Sequence, residues 1–251
     1  MSSNTSADYH SHGGGGIFAD TVLARRSTIA GNHLTWTHHN YSVGRDGGAG
    51  IWGGEVRLVD STVSANVAER DSDAGGVYAA RSLSVVNSTI SGNAVTGRGA
   101  GGGIRTARGA PVLLSHATVV RNSAPIASNV DAGGLLDSDR SVIAERYGRG
   151  SDCRVRGGAR SGGYNVVGGT SCGLAGVGDL PGVRDAGLGP LVDNRGPTET
   201  HRPRVGTVLS RIPLDHCGRA ADQRGFTRPA GARCEAGSVE VGRREGPDGG
   251  G

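Results

Sequence analysis

The chain contains no lysine: all 27 of its basic residues are arginine. That removes lysine as a proton acceptor in catalysis. Aromatic side chains make up only 4% of the 251 residues, too few for a conventional layered core. The net charge of +4 is modest, and the arginines are scattered without interleaved aromatics, which argues against a nucleic-acid partner. No apolar run is long enough to span a membrane. No leader-like segment opens the chain, so the expectation is a truncated or mis-started reading of a longer secreted protein. The four cysteines are too far apart for the usual zinc knuckle, and no cofactor is implied.

What is abundant is glycine, with 47 residues, and a short phrase written four times. It reads Ser27-Thr28-Ile29-Ala30-Gly31-Asn32, Ser61-Thr62-Val63-Ser64-Ala65-Asn66, Ser88-Thr89-Ile90-Ser91-Gly92-Asn93 and Ala117-Thr118-Val119-Val120-Arg121-Asn122. Each phrase follows a glycine cluster ending in an aliphatic residue: Gly13–Ile17, Gly47–Ile51, Gly75–Val77 and Gly101–Ile104. The asparagines are 34, 27 and 29 residues apart, a solenoid period.

The core of the repeat keeps fixed offsets of +2, +5 and +3: Val22, Ala24, Ile29, Asn32; Val56, Leu58, Val63, Asn66; Leu83, Val85, Ile90, Asn93; Val112, Leu114, Val119, Asn122. A step of two keeps side chains on one strand face; a step of five requires a turn. Tetrads such as Arg25-Arg26-Ser27-Thr28 and Val86-Asn87-Ser88-Thr89 suit that turn. Runs this short, rich in Thr, Val and Ile and broken by Gly, do not make helices. Single coils of this kind bury their apolar face only by stacking, at about 4.8 Å per coil. The expected fold is all-β: a right-handed parallel β-helix of about 5–6 coils over residues 13–145. Val22/Val56/Leu83/Val112 and Ile29/Val63/Ile90/Val119 form its inward columns. The side chains of Asn32, Asn66, Asn93 and Asn122 would form a structural ladder, with the asparagines in left-handed turn geometry. The glycine clusters would turn the chain with positive φ.

After Asn122 the repeat decays. Gly133-Gly134-Leu135 and Ser141-Val142-Ile143-Ala144 read as an eroded fifth coil, with Arg146 where the asparagine would stand. Residues 1–12 are expected to be disordered or truncated, 146–241 to form an irregular C-terminal region, and 242–251 a disordered tail. The cysteines fall into local pairs in that region, which points to disulfides Cys153–Cys172 and Cys217–Cys234 and to an oxidising compartment.

The C-terminal blocks have an order of their own: Ser161–Gly168, then the run GLGPLVDNRGPT at 187–198, then Asp222-Gln223-Arg224-Gly225 with Arg228-Pro229, then Cys234–Glu240. Together with the Gly-Gly-Gly-Ile and Ser-Thr-Ile-Ser-Gly-Asn words, this order resembles the bacterial surface proteins called choice-of-anchor Q domain proteins, over about residues 13–241. The resemblance implies a right-handed parallel β-helix at the cell surface and supplies no catalytic residues. The family's pgSPAIDaG-like stretch is degenerate here, at Val208–Cys217, and the chain ends without a sorting motif or apolar tail.

Parallel β-helices often cleave acidic polysaccharides, using stacked carboxylates as acid/base pairs or as a calcium cage. The column of Glu55 reads Thr21, Glu55, Ser82, Pro111, and that of Asp60 reads Arg26, Asp60, Asn87, His116; neither stacks two acids. Asp71 with Asp73, and Asp131, Asp137 and Asp139, read as solvated turn residues, with weak calcium binding as the alternative. His10, His12, His38 and His39 lie outside the repeat core, and no metal site is assigned to them. Trp36, His38, His39 and Tyr41 in the 33–46 insertion either cover the flank of the solenoid or contact carbohydrate. The function expected is a non-catalytic secreted or cell-surface structural or adhesive module. It would bind a glycan or another surface component through loops 33–46, 67–74 and 94–100. A polysaccharide lyase or hydrolase is the alternative.

Overall fold

The structure, a computed structural model, describes residues 5–8, 12–36, 46–69, 72–229 and 232–241. It is a parallel β-solenoid of about four turns with almost no helix. The longest sheet starts with Ile17–Arg25, Ile51–Val59 and Val77–Val86, side by side and parallel. It then splits: Ile104–Thr106, Val130–Ala132 and Cys153–Val155 continue one half, and Val112–Ser115, Leu136–Asp139 and Ala159–Gly163 the other. Six short strands, Thr28–Ala30, Thr62–Ser64, Thr89–Ser91, Thr118–Val120, Val142–Ala144 and Val166–Val167, stack as a second sheet. Thr5–Asp8, His33–Trp36, Val67–Ala68 and Ala94–Val95 form the third.

The inward columns are in register. Val22 pairs with Val56, Val56 with Leu83, and Leu83 with Val112; Ile29, Val63, Ile90 and Val119 do the same one sheet over. These side chains form one continuous core in which Val63, Ile90 and Val119 are fully buried. Burying such a side chain contributes about 1.5–3 kcal/mol, and stacking lets each coil supply the cover its neighbour lacks.

The structure corrects three expectations. Thr5–Asp8, in the stretch assigned to a disordered or truncated start, is ordered and pairs with His33–Trp36. The parallel stacking does not stop at 145, because Cys153–Val155, Ala159–Gly163 and Val166–Val167 pair onto the preceding coil. The asparagines, finally, are not the left-handed residues. Positive φ falls one residue earlier, at Gly31, Ala65, Gly92 and Arg121, and at a second turn column made of Arg26, Asp60, Asn87, His116 and Arg140.

The asparagines instead form a closed hydrogen-bond ladder. Asn32 Nδ2 donates to Asn66 Oδ1 at 2.8 Å, Asn66 to Asn93 at 2.9 Å, and Asn93 to Asn122 at 3.0 Å. The Asn66 carboxamide is saturated: its oxygen also accepts the Asn32 backbone N–H, and its nitrogen also donates to the Ile29 carbonyl. This explains the glycines. A Cβ on Gly50 would lie 2.9 Å from Asn66 Nδ2 and 2.6 Å from the Gly76 carbonyl, and one on Gly103 would lie 2.8 Å from Asn122 Nδ2. Apart from Gly101, the cluster glycines have no positive φ; they are there because ladder and backbone leave no room.

The region after Val167 folds back over the outer face of the six-stranded sheet. Val120, Val142, Ala144 and Val166 pack under Ala186, Leu188, Leu209, Ile212, Cys217, Cys234 and Ala236. Towards the earlier coils the contact becomes polar. The Thr89 hydroxyl donates to Gln223 Oε1, whose amide donates to the Ser61 carbonyl, Thr62 Oγ1 and Thr198 Oγ1. The repeated serines bracket turns: Ser61 Oγ donates to the Val59 carbonyl and accepts the Ser27 N–H. The repeated threonines are not turn residues but outward strand residues: Thr62, Thr89 and Thr118 are sealed under this cover, and Thr28 is exposed. Disulfides Cys153–Cys172 and Cys217–Cys234 are both present. The first anchors the last coil in the solenoid core, and the second lies in the cover.

Candidate functional site

The outer face of the long sheet carries one column that changes character along the solenoid. In register it runs Phe18, Trp52, Tyr78, Arg105, Asp131, Arg154. The rings stack: Phe18 and Trp52 are 4.5 Å apart between centroids and 21° from parallel, Trp52 and Tyr78 6.3 Å and 11°. Strand alternation puts these residues outside because Ile17, Ile51 and Val77 point in. Phe18 is exposed and Tyr78 is buried, so the stack descends towards the middle of the sheet.

There the sheet splits, and a cleft of about 710 Å³ opens. The cause is local. Between the paired blocks, Ala79 to Leu83 is four steps, whereas Thr106 to Val112 is six. The surplus of two residues falls in the segment Ala107-Arg108-Gly109-Ala110-Pro111, a bulge turning on Gly109 at φ 82°. Tyr78, Ala107 and Leu135 give the cleft apolar wall, Gly133, Gly134 and Gly157 give backbone, and Arg105, Arg108 and Arg156 give charge.

Beneath the arginines lies Asp131, completely buried. Arg154 clamps it with two bonds, Nε to Oδ1 at 2.8 Å and Nη2 to Oδ2 at 2.7 Å. Arg156 adds one bond at 3.0 Å, and Arg105 reaches both Asp131, at 3.3 Å, and Asp73, at 3.0 Å. The hydrogen-bonded Asp131 carboxylate, with Asp73 behind it, holds the Arg154 guanidinium more firmly protonated than usual.

The acids singled out from sequence are therefore tied to arginines. Asp137 pairs with Arg160, and Asp139 pairs with Arg140 at 2.6 Å. Both lie on the strand Leu136–Asp139, whereas Asp71 falls outside the described residues. So do His10, His38, His39 and Tyr41; Trp36 closes the strand His33–Trp36, and His12 opens the strand His12–Gly14. Among the described residues no three His, Cys, Asp or Glu side chains are grouped to hold a metal ion. Of the three loops expected to bind, only 94–100 is described throughout.

A serine–histidine pair went unnoticed in the sequence because its members are 110 residues apart. Ser91 Oγ lies 2.7 Å from His201 Nε2, and His201 Nδ1 faces the Gly189 carbonyl at 2.8 Å. That pattern assigns the proton to Nδ1 and makes Nε2 the acceptor. Burial lowers the pKa of His201 to about 4, so the ring is neutral. Both side chains are sealed between the sheet and the cover, so no substrate reaches them. The pair fastens the cover.

The fold thus defines a parallel β-solenoid with one flank sealed by its own C-terminal region and another bearing an aromatic–arginine column. No family model, no curated protein and no solved structure matches the chain. No helix among the described residues is long and apolar enough to cross a membrane.

Proposed function

We propose that this chain is a non-catalytic, secreted or cell-surface binding module whose ligand is a glycan. The carrying observation is the stacked Phe18–Trp52–Tyr78 column, which leads from an exposed ring into the cleft. Flat aromatic faces offer large, rigid apolar area at low entropic cost, and the C–H faces of sugar rings lie flat on them. On a rigid solenoid the rings are already aligned, which lowers the cost of ordering on binding. The disulfides support an oxidising compartment, and the resemblance to choice-of-anchor Q domain proteins supports the cell surface. Catalysis is disfavoured because Asp131, Asp137 and Asp139 are each engaged by arginine.

The test is titration against neutral and acidic oligosaccharides, followed by calorimetry. Trp52→Ala is expected to weaken binding while leaving the fold intact. Incubation with pectate and alginate, with and without calcium, is expected to give no unsaturated or reducing ends. Turnover abolished by changing Asp137 or Asp139 would replace this reading with that of a polysaccharide lyase.

A further inference from the structure

We propose that the cleft where the long sheet splits is an anion site that takes the carboxylate or sulfate groups of an acidic polysaccharide, held by Arg105, Arg108 and Arg156. This rests on the glycan-binding reading and adds the class of glycan. The lining of the cleft includes three arginines and no aspartate or glutamate. The two acids that belong to the cluster, Asp73 and Asp131, lie behind the wall and are buried. Four guanidinium groups, counting Arg154, therefore stand against two carboxylates. The next acid along the sheet, Asp137, is already paired with Arg160.

Neutralising Asp131 accounts for only part of this charge. Arg154 alone satisfies it bidentately. Arg105 and Arg156 each spend a single terminal nitrogen on the acids, Nη1, which leaves further N–H groups at the cleft. Arg108 is exposed and makes no ion pair among the described residues. A guanidinium fork matches the planar geometry of a carboxylate and the oxygens of a sulfate. Leu135 and Tyr78 supply apolar wall beside the arginines, where the ring that bears the acid would lie. The aromatic column and Arg105 share one register line, so an extended chain that follows the rings is led to the cleft.

The experiment compares four probes on the full chain: a polygalacturonate oligomer, the same oligomer with its carboxyl groups reduced, a sulfated oligosaccharide, and a single-stranded oligonucleotide. The expected result is binding to an acidic glycan that weakens as salt rises. Arg108→Ala should reduce that affinity about tenfold, the worth of one charged hydrogen bond. Because Arg108 is exposed and makes no ion pair among the described residues, its loss should leave the melting curve unchanged. Arg156→Ala serves as the second variant, with circular dichroism as the check on folding. Preference for uronate or for sulfate identifies the acid and supports the site. Equal binding of the carboxyl-reduced oligomer, or unchanged affinity in a folded Arg108→Ala/Arg156→Ala double variant, overturns the anion site and leaves the glycan reading standing. Failure to bind any glycan overturns both, and tighter binding of the oligonucleotide overturns the glycan class.

Discussion

Asn129 occupies the place that Gly103 holds one coil earlier, and it accepts a hydrogen bond from Asn122 Nδ2 at 3.0 Å. The ladder thus changes columns. Arg146 has replaced the expected asparagine, and the next rungs come from the glycine column, first Asn129 and then Asp152, joined at 3.0 Å. Arg146 caps the end by donating to Asp152 Oδ2 at 2.8 Å. Burial raises the Asp152 pKa, and Arg146 and Asn129 partly offset the shift.

The exchange predicts a coupled pair. Asn129→Gly removes a rung: one N–H of the Asn122 amide and Asp152 Oδ1 lose their partner, at a cost of about 1–3 kcal/mol. Adding Arg146→Asn restores the arrangement of the earlier coils. The double variant should be more stable than the sum of the two single changes, as read by urea denaturation in a double-mutant cycle.

Within the regular coils, Val63→Asp should be the severest change. It places an unpaired charge in a column with no exposed surface. Asn66→Ala deletes one saturated rung and orphans the Asn32 N–H and the Ile29 carbonyl, for about 2–3 kcal/mol. Equilibrium unfolding that ranked Asn66→Ala above Val63→Asp would contradict the packing described.

Stability should peak near pH 6.5. Burial lowers the pKa of His116 from 6.5 to about 3 and that of His201 to about 4. Both rings are neutral when folded and protonated when unfolded below 6.5, so each removes about 1.4 kcal/mol per unit as pH falls towards its folded value. Glu240 runs the other way. Burial and the neighbouring Glu235 carboxyl push it up to about 8 despite the Arg228 ion pair. The folded state then holds a proton the unfolded state has released, and stability falls as pH rises from the ordinary glutamate range to 8. Chemical denaturation at pH 4.5, 6.5 and 8 checks the dome, and His116→Gln should flatten its acid limb.

The cover should come loose when Gln223 is changed. Gln223→Ala removes four hydrogen bonds that tie it to Ser61, Thr62, Thr89 and Thr198. Hydrogen exchange should rise at 198–227 and along Thr62–Ser64 and Thr89–Ser91, while the inward strands of the long sheet remain protected.

The solenoid was legible because its words recur at fixed offsets. The +2, +5, +3 spacing fixes which residues face inward, and Ile29, Val63, Ile90 and Val119 carry it without exception. The glycine and asparagine words were seen separately, and only the structure shows them to be one device: Gly50 and Gly103 are small because Asn66 and Asn122 occupy the space beside them. The cleft was not legible. It depends on a two-residue surplus in one strand pair and on arginines from two different coils, and nothing repeats to mark them. Ser91–His201 escaped for the same reason: the contact is made once, across two regions with unrelated patterns.

Repeat solenoids tend to unravel from their ends, because each coil touches only its neighbours. Here the segment carrying Gln223 returns along the solenoid to grip Thr62, and so ties the final part of the polypeptide to its second coil. The last coil cannot then fray without releasing this grip, whereas the first coil, where Thr28 is exposed, lies outside it. From the second coil onwards the molecule should melt in one sharp transition, with equal calorimetric and van't Hoff enthalpies, instead of coil by coil.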